Sequence, residues 1–91
     1  WLRAVQGDDF LGVQNYERSV WDDKGKRPVP PGAVTNTMGA EVYPPSLAGG
    51  VRYAHAATGL PILITEHGVG TDDDTIRANL IPAALAALRQ A

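Results

Sequence analysis

Hydrophobic residues along this chain fall into short blocks, and the changes in their spacing mark the predicted elements. Trp1, Leu2 and Val5 are apolar and Gly7 follows. A glycine just past such a stretch is a common helix terminator, so residues 1–6 read as the tail of a helix. The run Phe10-Leu11-Gly12-Val13 passes into the polar Gln14-Asn15-Tyr16, as a buried parallel strand does on reaching a functional rim. Leu47, Val51 and Ala54 recur at helical spacing between Pro44-Pro45-Ser46, where proline suits a first turn, and Thr58-Gly59, which ends the helix. Leu60-Pro61-Ile62-Leu63-Ile64-Thr65 is apolar, β-branched and too short for a helix, so it reads as a second strand. Ile76, Leu80, Ala84, Leu85 and Leu88 then mark one face of a second helix, which Asp72, Asp73, Asp74 and Thr75 cap. Pro82 removes one backbone hydrogen bond inside that pattern and predicts a kink near Asn79 or a division of the helix.

Between these blocks, residues 17–40 hold four prolines or glycines in close succession at Pro28, Pro30, Pro31 and Gly32, and no sustained period. They read as one long loop, of a length usual for active-site lids or for disordered segments. The order of strand, loop, helix, strand, short loop and helix is that of an α/β protein with parallel strands. Two parallel strands leave both sheet edges open and a marginal core, so the pattern asks for more sheet than 91 residues supply.

Composition narrows the partners. A hydrophobic share of 44%, a charged share of 20% and a net charge of −2 are ordinary for a globular protein and give no footprint for nucleic acid or an anionic membrane. No apolar stretch approaches the roughly 20 residues that span a bilayer. With no cysteine, disulfides and thiolate metal sites are excluded, which suits a cytoplasmic setting.

In α/β barrels chemistry sits at the carboxyl ends of the strands. The residues to weigh there are Gln14, Asn15 and Tyr16 after the first strand, and Thr65, Glu66 and His67 after the second. Glu66 follows an apolar run and precedes the glycine-containing Gly68-Val69-Gly70, so it is expected to be partly desolvated at a rim. Position alone leaves two readings of it, a catalytic carboxylate or a solvated one paired with a nearby base. Tyr16 is equally open: a core-edge aromatic, or a hydroxyl that holds a neighbouring carboxylate. His55 and His67 lack ligand spacing, and the aspartates at 72–74 lack the alternation of a calcium loop, so no metal is expected. Gly68-Val69-Gly70 lacks the third glycine and the lysine of nucleotide-binding loops. Lys24, Lys26 and Arg27 are offset by Asp22 and Asp23 and read as a solvated loop.

Taken together, three ordered segments resemble glycoside hydrolase family 1: Asp9-Phe10-Leu11-Gly12-Val13-Gln14-Asn15-Tyr16, Thr37-Met38-Gly39-Ala40-Glu41-Val42-Tyr43-Pro44, and Pro61-Ile62-Leu63-Ile64-Thr65-Glu66-His67-Gly68. The acidic stretch with Arg77 fits the same pattern. The resemblance implies a fragment of a (β/α)8 TIM barrel, about two βα units, with residues 1–91 as part of the catalytic domain. It implies a retaining β-glycosidase, most simply a β-glucosidase, acting on β-glucosides or oligosaccharides without a cofactor. Glu66 would be the nucleophile and Tyr16 the tyrosine that hydrogen-bonds it, keeping it ionised and aimed. Gln14, Asn15 and His67 would contact substrate.

The chain departs from the family at Gln14, Asn15, Ala40 and His67. Neither Glu17 nor Glu41 matches the motif of the acid/base glutamate, which retaining hydrolysis also needs. The segment by itself is therefore expected to be inactive and to need the remainder of the barrel as its partner. The alternative is a degenerate, non-catalytic fragment or a small α/β interaction domain, for which the substitutions at His67 and Ala40 speak.

Overall fold

The expected alternation of strands and helices is present in a computed structural model, which describes residues 2–91. A four-residue 3-10 turn, Leu2–Val5, opens it, and Gly7 follows with a φ of 90° that only glycine takes readily. Trp1, read with this turn, lies outside the described residues. Strand β1 is Leu11–Asn15 and strand β4 is Ile62–His67; they pair in parallel. Helix α1, Ser46–Thr58, crosses between them and stops at Gly59 in the left-handed conformation, with the Gly59 amide donating to the His55 carbonyl. Helix α2, Asp74–Arg89, starts where Asp73 accepts the Thr75 amide.

The core forms where both helices meet one face of the sheet. Leu47, Leu80 and Ala84 are buried, with Val42, Val51, Ile64 and Val69 packed around them. Alternation along β1 sends Leu11 and Val13 toward the helices and leaves Gly12 and Gln14 exposed on the other face. That second face is uncovered, and Leu63 on it is 52% exposed. Two strands therefore bury one side of the sheet only.

Three expectations are corrected. Residues 17–40 are not featureless: Trp21–Asp22 (β2) and Gly25–Lys26 (β3) pair antiparallel. Isolated bridges also link Glu41 to Arg18 and to Thr35. The Thr37 amide donates to the Gly70 carbonyl at 2.9 Å, which fastens this segment to the loop after β4. Of the two effects expected of Pro82, a kink or a division, the division does not occur: α2 is continuous from Asp74 to Arg89. The packing of Leu80 and Ala84 on Leu47 to either side of the proline offsets the missing backbone bond. Finally, Leu85, counted with the buried face, is 52% exposed. Among the described residues no helix is long and apolar enough to cross a membrane.

Candidate active site

The carboxyl ends of β1 and β4 lie side by side, and a defect in their pairing decides where Glu66 points. Leu11, Gly12 and Val13 pair with Ile62, Leu63 and Ile64 in turn, but Gln14 pairs with Glu66 and Asn15 with His67. Thr65 is thus an extra residue in β4, a β-bulge. Strict alternation after Ile62 and Ile64 would send Glu66 toward the helices. One inserted residue reverses that sense, so Glu66 faces the open side beside Gln14 and His67 turns inward beside Asn15. Two consecutive exposed residues, Thr65 and Glu66, record the change.

The Tyr16 hydroxyl donates a hydrogen bond to the Glu66 carboxylate across the strand ends. Among the described residues no lysine or arginine pairs with Glu66, so the nearby base of the alternative reading is absent there. Glu66 lies within β4 rather than after it, and it is exposed rather than partly desolvated. The reason is architectural: one neighbouring strand cannot wall in a side chain that points away from both helices.

Behind this pair, polar contacts tie the strand ends to α1. The Ser46 hydroxyl donates to the Asn15 side-chain oxygen at 3.0 Å. The His67 ring contacts the Asn15 carbonyl through Nδ1 at 2.8 Å, while its Nε2 is buried without a partner among the described residues. Gln14 is exposed on the same face as Glu66. A groove runs instead along the edge of β1, between Leu11, Val13, Gln14, Tyr53 and Ala54, and does not include Glu66 or Tyr16.

The exit of β1 is held by a contact that sequence reasoning missed. Arg18 donates to both Glu41 carboxylate oxygens, from Nε at 3.0 Å and Nη2 at 3.1 Å, and its guanidinium lies 3.6 Å over the Tyr43 ring. Glu41, which does not match the acid/base motif, is engaged in a bidentate ion pair that is mostly shielded from solvent. The signal available in the sequence was an arginine two residues after Tyr16 and a glutamate two residues before an aromatic. Neither spacing specifies a partner 23 positions away.

The aspartates at 72–74 serve the helix. Asp73 accepts from the Thr75 hydroxyl and amide, which hold its carboxyl below the usual carboxylate range. Asp74 pairs with Arg77 at 2.7 Å. Among the described residues no group of three potential ligands is placed to hold a metal ion.

No protein-family model matches the chain, and no curated protein matches it. Solved structures do. A β-glycosidase named BGL167 is 39% identical over 98% of this chain, with a TM-score of 0.89. A β-glucosidase named 1317 is 36% identical over 97%, with a TM-score of 0.85. A β-glycosidase from Pyrococcus horikoshii is 28% identical over 90%, with a TM-score of 0.73. The chain spans 21% of the length of each of these proteins. The resemblance read from its motifs therefore stands: this chain has the α/β architecture of a segment of a TIM-barrel β-glycosidase, about two βα units with parallel strands.

Proposed function

We propose that the chain is the nucleophile-bearing segment of a retaining β-glycosidase of glycoside hydrolase family 1, acting on β-glucosides. The observation that carries this reading is the hydrogen bond from Tyr16 to Glu66 on the open face at the strand ends. The likeness to β-glycosidases over nearly the whole chain supports it. In this reading a Glu66 oxygen attacks the anomeric carbon while the glycosidic carbon–oxygen bond breaks. The departing oxygen takes a proton from a second carboxyl group about 5–5.5 Å away, contributed by another part of the barrel. That group, now a base, removes a proton from water. The water oxygen bonds to the anomeric carbon as the ester to Glu66 breaks, and the sugar leaves with its original configuration.

Tyr16 limits the rotation of the Glu66 carboxylate, which keeps one oxygen in line with the anomeric carbon. Gln14, beside Glu66 on the same face, contacts the sugar; Asn15 and His67, expected to do so as well, face the helices instead, where Asn15 bonds to Ser46 and the His67 ring to the Asn15 carbonyl. Residues 1–91 belong to one catalytic domain and need its remainder, because one carboxylate cannot serve as both nucleophile and acid. A cytoplasmic location suits the absence of cysteine. In the complete enzyme, Glu66→Ala abolishes hydrolysis of an aryl β-glucoside, and added azide restores turnover by taking the place of the lost carboxylate. Hydrolysis at the parent rate by Glu66→Ala overturns the proposal.

A further inference from the structure

The residue that turns Glu66 onto the open face is Thr65, and two contacts seat it. Its hydroxyl donates to the Val13 carbonyl at 3.3 Å. Its methyl group lies over Gly12, so close that a β-carbon at position 12 would come within 3.3 Å of it. Gly12 has no left-handed backbone to explain it; what its position requires is the absence of a side chain. A methyl group there meets Thr65 at less than ordinary van der Waals separation, and Thr65 must yield by a few tenths of an ångström. Thr65 is the direct backbone neighbour of Glu66, so the shift passes into the carboxylate. On the other face Ile64 is packed against the core, which leaves the bulge little freedom to absorb the shift toward the helices.

We propose that Gly12 and Thr65 are a positioning pair for Glu66: the glycine opens the seat, the threonine fills it, and the resulting bulge aims the nucleophile. This rests on the reading of Glu66 as nucleophile. Neither residue touches the reacting atoms, and their effect passes through the direction of the carboxylate alone.

In the complete enzyme, Gly12→Ala lowers kcat for an aryl β-glucoside about tenfold, since misplacement by about 1 Å can cost about a hundredfold. KM and melting temperature stay close to the parent's. Adding Thr65→Ser, which keeps the hydroxyl and deletes the methyl that the new β-carbon meets, restores most of the lost kcat. A fall in kcat with KM and melting temperature unchanged is a readout that a purely structural role would not produce, and recovery in the double variant locates the effect at the Gly12–Thr65 contact. If Gly12→Ala does not fold, Thr65→Val carries the test: it keeps the shape, loses the bond to Val13 and lowers kcat about fivefold. Parent-like kcat in Gly12→Ala, or in Thr65→Val, overturns the pairing, as does a double variant no faster than Gly12→Ala. Glu66→Ala measured in the same series separates the two ideas. Retained hydrolysis there ends the nucleophile reading, whereas loss there beside a fully active Gly12→Ala ends only the positioning pair.

Discussion

Replacing Tyr16 by phenylalanine deletes one hydroxyl and leaves the ring, so it isolates the hydrogen bond to Glu66. A hydrogen bond to a charged group contributes about 1.5–3 kcal/mol net. Tyr16 is 40% exposed, and water competes for the carboxylate, which favours the lower end, about 1.5 kcal/mol. Without that bond the carboxylate rotates out of line with the anomeric carbon, and realigning it at about the same cost appears as roughly a tenfold fall in kcat. Stability should hardly change, because the ring retains its packing and the hydroxyl ends at an exposed acid. The assay is steady-state hydrolysis of an aryl β-glucoside by the complete enzyme, with thermal unfolding of the same preparations. A kcat within twofold of the parent refutes the reasoning. So does a fall in kcat that merely follows a fall in melting temperature, since the hydroxyl would then act on the fold.

Two further outcomes concern the scaffold. Leu47 is fully buried between the helices and the sheet, so Leu47→Ala should cost about 3 kcal/mol through lost burial and an unfilled cavity, as read by urea unfolding; a loss below about 1 kcal/mol contradicts the placement of the core. Asp73 has its carboxyl depressed by the Thr75 hydroxyl and amide. A depressed acid contributes stability above its unfolded value, about 3.9, and that contribution disappears as pH falls through the lower folded value. Acid titration of the helical signal should therefore show a step below about pH 4 that Asp73→Asn lacks while keeping the cap; identical titrations of the two proteins would contradict this assignment.

The chain displays its element order in short-range signals, because each depends on neighbours in sequence. Gly59 ends α1 and Asp73 opens α2 through bonds within five residues of each other. The hairpin at Trp21–Asp22 and Gly25–Lys26 is not legible in the sequence, since two residues per strand cannot display a period. Glu66 was identifiable from its motif, and Tyr16 with it, but the direction of Glu66 was not. Alternation from Ile62 and Ile64 points the wrong way, and the bulge at Thr65 exists only in the pairing with β1. The bidentate contact of Arg18 with Glu41 is likewise tertiary, as is the seat of Thr65 over Gly12. The exposure of Glu66 follows from how few strands surround it, a property of the assembly and of no local stretch.

As the proposed nucleophile, Glu66 forms a covalent bond to the sugar. That bond is detected by incubating the complete enzyme with a 2-fluoro β-glucoside bearing a good leaving group, then digesting it and locating the added mass by mass spectrometry. The slowed second step should leave one glycosyl group on the peptide that contains Thr65-Glu66-His67, attached to Glu66. A label on another carboxylate, or a folded protein that hydrolyses β-glucosides and takes up no label, would contradict it.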